Sequence, residues 1–193
     1  MIINKLKIIL ASQSPRRKEL LESLGYTFET VKLNINEVYP AHLKANEITE
    51  YLAFQKSKHF EKVDKNTVVI TADTIVWMND KALEKPQDAE QAKEMLRQLS
   101  GNIHQVYTSV GFTTQDKFQV FTDCSEVHFL EFTEQEIDFY VKNNNPLDKS
   151  GSYGIQDWIG LAKIDKIKGS CFTIMGLPTH IVYKFLQSLN TEL

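Results

Sequence analysis

An α/β fold is predicted by three features of the chain: short β-branched runs alternate with apolar stripes at helical spacing, helix-start signals fall between them, and no repeat or low-complexity linker interrupts the alternation. With 193 residues, 42% apolar and 24% charged, the chain is long enough to bury about 70% of its extended surface without disulfide or metal staples. Lys7 to Ala11 reads as a buried strand. Ser14 then caps a helix with Pro15 at its first position; Leu20, Leu21 and Leu24 give its apolar stripe and Gly25 ends it. Tyr26 to Leu33 alternates loosely, as a strand does, and Asn34 to Asn46, with Pro40, reads as a loop. Ile48, Leu52, Ala53 and Phe60 mark a helix from about Ala45 to Phe60.

Thr67 to Ile70 and Ile75-Val76 read as strand on either side of a polar break at Asp73-Thr74, with Asn79-Asp80 as a hairpin turn. Asp88 can cap a helix whose apolar side is Ala89, Ala92, Met95, Leu96 and Leu99, stopped by Ser100-Gly101. His104 to Thr113 and Phe118 to Leu130 are strand-like around a turn at Thr114–Lys117. Thr133-Glu134-Gln135-Glu136 is a capping box that opens a helix through Val141, broken at Asn143–Pro146. Ala162 to Ile167 reads as a strand and Pro178 to Leu189 as a terminal helix. Seven of the eight glycines lie from Gly101 onward, which favours one domain over residues 1–193 built as two lobes over two independent domains.

Composition excludes several classes. A net charge of −3 with no basic stripe argues against nucleic acid as a main partner. No apolar run nears the roughly 20 residues of a membrane helix, and the run from Met1 to Ala11 is too short and too interrupted for a signal peptide. Cys124 and Cys171 form no CxxC or CxxH group, so a reducing cytoplasm is the expected compartment.

Four segments carry candidate chemistry. Ser12-Gln13-Ser14-Pro15-Arg16-Arg17 places two cations at a helix N-terminus, where the helix dipole disfavours them. An anion between guanidinium forks and free amides would account for this; two solvated arginines is the competing reading. Asp73 interrupts apolar strand, which costs desolvation unless a metal, cation or donor compensates. It could hold a divalent ion or take a proton from water, or sit in a bulge or turn. Lys56 and Lys85 matter only if they join the arginines around one polyanion; otherwise they are solvated surface. Asp148 to Asp157, rich in Gly and Ser, can approach a ligand closely, and the Gln156 amide can read a base edge, unless the segment is a flexible polar loop. His104 reads as structural, and Trp77 and Trp158 as packing.

Together these segments resemble the Maf family of nucleoside triphosphate pyrophosphatases. The resemblance lies in Leu10-Ala11-Ser12-Gln13-Ser14-Pro15-Arg16-Arg17-Lys18-Glu19-Leu20-Leu21, in Ala72-Asp73-Thr74-Ile75-Val76 and in Lys85-Pro86. It continues through Ser100-Gly101 with His104-Gln105-Val106 and Thr108, through Asp148-Lys149 with Gly151 and Tyr153-Gly154-Ile155-Gln156, and through Gly169-Ser170 with Gly176-Leu177-Pro178. It implies an elongated α/β domain, a mixed sheet flanked by helices with a cleft between two lobes, related to inosine triphosphatases. The implied activity is hydrolysis of a nucleoside triphosphate to monophosphate and pyrophosphate.

Arg16, Thr74 and Gln156 resemble the dTTP/UTP branch; the 7-methyl-GTP branch differs at all three, with Glu at the Gln156 position. The resemblance assigns Arg16, Arg17, Lys56, Lys85 and the amides at Ser14 to phosphates, and Thr74 and Gln156 to base or sugar. Asp73 becomes general base or holder of a metal-bound water, with Mg²⁺ or Mn²⁺ as cofactor and Glu37 as a further metal ligand. Asn36-Glu37 departs from a usual Asp-Glu pair, Glu84 from a usual Gly, and Ser150, Ser152 and Asp157 from smaller residues. The alternatives are a family member acting on methylated or otherwise modified nucleotides, and a nucleotide-binding regulator of cell division. Family members are often homodimers.

Overall fold

The computed structural model describes residues 6–191, so the start of the N-terminal apolar run, Met1 to Lys5, lies outside the described residues. Seven strands, β1 (Lys7–Leu10), β2 (Glu29–Thr30), β3 (Thr67–Met78), β4 (Lys81–Leu83), β5 (Ile103–Thr113), β6 (Phe118–Phe129) and β7 (Ile164–Lys168), pair in the order β2-β1-β3-β5-β6-β7, with β4 on β3. The sheet is mixed: β1 pairs in parallel with β2 and β3, while β3–β4 and β6–β7 are antiparallel. Among the described residues seven α-helices accompany it: α1 (Pro15–Ser23), α2 (Asn46–Ser57), α3 (Ala89–Leu99), α4 (Glu134–Asn144), α5 (Trp158–Lys163), α6 (Cys171–Ile174) and α7 (Thr179–Thr191).

The chain forms two compact units. The first gathers the chain up to Asp73, Thr108–Asp123 and the chain from Gly176 onward; the second is Thr74–Tyr107 with Cys124–Met175. In the first, β1 and the start of β3 are buried at Ile8, Leu10, Val68 and Ile70, as are Leu21 of α1, Ile48, Leu52 and Ala53 of α2 and Leu186 of α7. Phe112 and Phe185 stack at 3.9 Å between ring centroids. The core of the second unit joins Ala92, Leu96 and Leu99 of α3 to Ile137, Tyr140 and Val141 of α4, with Val76, Val106, Val127, Phe129, Tyr153 and Ile159.

The helix-start signals hold. Ser14, Asp88 and Thr133 each accept a backbone N–H at the start of α1, α3 and α4, and the Thr133–Glu136 capping box is complete. Asn79 and Asp80 both take positive φ, as a two-residue hairpin turn requires. Four expectations fail. The strand expected over Tyr26–Leu33 is only Glu29–Thr30. Ala89 of α3 is exposed rather than part of its apolar side. Ala162–Lys163 close the helix α5, and strand begins at Ile164. Most consequentially, β3 runs unbroken through Asp73 and Thr74.

Candidate active site

The unbroken strand has a local explanation. In β3, alternate side chains share a face, so Thr71 and Asp73 point the same way. Thr71 donates its hydroxyl to the Ala53 carbonyl at 3.0 Å, and Lys56, one helical step further along α2, donates its ammonium to Asp73 Oδ1 at 2.6 Å. The i, i+2 repeat of the strand thus matches the i, i+3 repeat of the helix. A carboxylate that would otherwise be expelled from a central strand is retained by the cation facing it. Lys56 stands in the last turn of α2, where the helix dipole favours positive charge.

Asp73 and Lys56 are both buried. The ammonium also meets Glu37 Oε1 at 2.8 Å and donates to the Ala72 carbonyl at 3.2 Å. Its three N–H donors therefore match three acceptors. Arg17 approaches from α1: Nη1 donates to the same Ala72 carbonyl at 3.0 Å and to Ser12 Oγ at 3.4 Å, and Nε donates to the Gly176 carbonyl at 2.8 Å. Two cations thus converge on one backbone oxygen next to Asp73, and the arginine that looked misplaced at a helix start is anchored by carbonyls. Burial raises the Asp73 carboxyl above its ordinary range; Lys56 and Arg17 oppose this and Glu37 adds to it. Burial likewise lowers Arg17, against the pull of Asp73 and Glu37.

The first unit therefore brings together Ser14, Arg17, Glu37, Lys56 and Asp73. Ser14 Oγ accepts the Arg17 N–H at 3.4 Å as helix cap, and Arg16 lies half-buried on the same turn of α1. Thr74, Lys85 and Gln156 belong to the second unit. There Ser150 donates its hydroxyl to the Thr74 carbonyl at 3.2 Å and the Gly151 N–H donates to the Glu84 carbonyl at 3.2 Å. The Gly/Ser-rich segment is thereby pinned both to β3 beside Thr74 and to the residue before Lys85, rather than loose. Gly151 takes φ +68°, and a Cβ there would lie 2.8 Å from Val76 Cγ2. Gln156 is exposed on this segment.

His104 lies inside the second unit. It is buried with Nε2 2.7 Å from the Tyr153 hydroxyl, packs against Phe129, and leaves Nδ1 without a hydrogen-bond partner. Burial, with a smaller contribution from His128, pushes its pKa down to about 3. Sequence reasoning missed Ser12, Ala72 and Gly176, which contribute acceptors around Arg17. Two of them act through backbone carbonyls, which carry no side-chain signal.

Residues 7–189 match the family model described as Maf-like protein. A protein of Flavobacterium johnsoniae named dTTP/UTP pyrophosphatase is 43% identical over 188 residues, 97% of each chain. One of the same name from Phocaeicola vulgatus is 46% identical over 189 residues, 97% of this chain and 98% of that one. Among solved structures, the Staphylococcus aureus Ham1 protein aligns with a TM-score of 0.47 at 11% identity, covering 97% of this chain and 100% of that one.

Proposed function

Since this chain belongs to the Maf family, we propose that it hydrolyses dTTP and UTP to the nucleoside monophosphate and pyrophosphate, the activity for which its close relatives are named. The observation that carries the reading is Asp73, a buried carboxylate kept in mid-strand by Lys56 and flanked by Arg17.

A nucleoside triphosphate carries close to four negative charges, so hydrolysis needs their neutralisation and a water aligned with phosphorus. Arg16 and Arg17, with the amides at the Ser14 helix start, bind phosphate oxygens, and Lys85 is a further phosphate ligand. Lys56 reaches a phosphate only by exchanging one of its three acceptors, so its first role is to hold Asp73. Asp73 takes the proton of the attacking water. As the new O–P bond forms, the α–β anhydride bond breaks and its bridging oxygen leaves with pyrophosphate. A carboxylate raised above its ordinary range is the stronger base for that transfer. Thr74 and Gln156 contact base or sugar.

Glu37 and Asp73 suit a hard divalent cation, Mg²⁺ or Mn²⁺: both are oxygen donors, and both already reach a single cationic centre, Lys56 Nζ. Among the described residues no group of three or more His, Cys, Asp or Glu side chains could hold a metal, so substrate phosphates and water would complete its shell. When bound, such an ion supplies charge neutralisation and polarises the leaving pyrophosphate. The reading places the enzyme in the cytoplasm; among the described residues no helix is long and apolar enough to cross a membrane.

A panel of dTTP, UTP, CTP, GTP and 7-methyl-GTP with Mg²⁺ tests the proposal. Pyrophosphate and monophosphate are expected from dTTP and UTP first. Diphosphate plus orthophosphate, or thermal stabilisation by dTTP with no product, would overturn it.

A further inference from the structure

We infer that Tyr140 and Asp157 form a clasp that positions Gln156 to read the nucleobase; the inference rests on the pyrophosphatase reading above. Gln156 is the third residue of a four-residue turn, Gly154-Ile155-Gln156-Asp157, closed by the Asp157 N–H donating to the Gly154 carbonyl at 3.1 Å. One phenol ties its two ends together. The Gly154 N–H donates to the Tyr140 hydroxyl at 3.1 Å, and that hydroxyl donates to Asp157 Oδ2 at 2.9 Å. Tyr140 is itself fully buried in α4, within the second unit's core.

Two further observations show that this contact governs the turn. Asp157 occupies the N-cap position of α5, where an aspartate ordinarily accepts an N–H of the first turn, yet its side chain makes no such bond. Its carboxylate is directed instead to Tyr140, with Lys149 Nζ 3.7 Å away. Gly154 makes room for it, since a Cβ there would lie 2.5 Å from Asp157 Oδ2. The flanks are held as well: Tyr153 by His104, and Ser152 by a hydroxyl 3.1 Å from Met95 Sδ. Of this stretch Gln156 alone is exposed, between the half-buried Ile155 and Asp157. The segment is built to hold the backbone of Gln156 in one turn, with its side chain exposed. An amide carried on a backbone so held can pair with the carbonyl and N–H edge of a uracil-type base, which needs donor and acceptor placed together.

Tyr140 and Asp157 are positioning residues, acting on substrate only through Gln156. The test is steady-state kinetics of wild type, Tyr140→Phe, Asp157→Ala and Asp157→Asn with UTP and CTP, with thermal melts of each. Tyr140→Phe and Asp157→Ala should raise KM for UTP about tenfold, the effect of one lost buried hydrogen bond, with a smaller fall in kcat and a reduced preference for UTP over CTP. Asp157→Asn keeps an oxygen acceptor for the phenol and should retain most of the wild-type KM. A merely structural role would lower the melting temperature and active fraction without changing the ratio of KM values between the two bases. Folded variants with wild-type KM and base preference, or an Asp157→Asn as impaired as Asp157→Ala, would overturn the clasp alone. No pyrophosphate from wild type with any nucleotide would overturn the pyrophosphatase reading and the clasp with it. If Tyr140→Phe fails to fold, the two Asp157 variants decide.

Discussion

The two units hold their functional side chains by opposite means. In the first, charges hold charges: Asp73, Lys56, Glu37 and Arg17 are fixed on a strand, two helices and a loop by ion pairs and by one shared carbonyl. In the second, mostly uncharged groups hold an irregular segment: a phenol, two serine hydroxyls, an uncharged imidazole and backbone amides pin the stretch that carries Gln156, with the Asp157 carboxylate, 3.7 Å from Lys149 Nζ, as the charged exception. Chemistry on a polyanion needs formal charge that a low-dielectric setting amplifies. Reading a neutral base edge needs donors and acceptors held in place rather than a strong field. The first arrangement should therefore be strongly pH-dependent in activity, and the second nearly indifferent to pH near neutrality.

The largest effect expected from breaking the charged side is that of Asp73→Asn. The amide keeps the shape and an oxygen for Lys56 but cannot take a proton, so turnover should fall by about 10²–10⁴-fold, while binding of dTTP, measured by calorimetry, persists. Turnover near wild type would remove Asp73 from the mechanism.

Lys56→Met should come next. It deletes the partner of a buried carboxylate, a change that typically costs about 3–5 kcal/mol, and it removes the strongest influence opposing the burial-driven rise of the Asp73 pKa. The sign follows directly. With Lys56 gone the carboxylate stays protonated to higher pH, so the acid limb of kcat/KM should move up relative to wild type. A profile whose acid limb stays in place would show that Asp73 is not the group titrating.

How much of this was legible in the sequence depended on what carried the signal. Caps and turns were legible because they are local: Ser14, Asp88, Thr133 and Asn79-Asp80 act within four residues of themselves. The candidate residues were legible as a family pattern, but the cohesion of the charged cluster was not, because Lys56 and Asp73 are brought together only by packing α2 on β3. For the same reason the polar break expected at Asp73 was wrong: the strand's dislike of a carboxylate was read without the ammonium that cancels it. Helix α5 was missed because its six residues are too few to show a period, and because Asp157, its one start signal, spends its carboxylate on Tyr140. Tyr140 itself gave no signal, since on α4 it is indistinguishable from a core aromatic until its hydroxyl is seen.

The smallest effect tests the neutral side through His104. In the unfolded chain this imidazole titrates near 6.5 and in the native protein near 3, so between those values the unfolded state binds a proton that the native state refuses. Stability contributed by His104 is therefore present above pH 6.5 and drains away as pH falls toward 3. By pH 5 the loss should be about 2 kcal/mol, worth roughly 4–8 °C in melting temperature for a chain of this size. His104→Leu abolishes the proton uptake, so the gap between its melting temperature and that of wild type should change by that amount between pH 7.5 and pH 5. The mutant will still be the weaker protein at pH 7.5, because the Tyr153 hydroxyl loses its 2.7 Å partner. It is the pH dependence of the gap that reports the buried neutral imidazole. A gap that stays constant with pH would mean that His104 protonates in the native state.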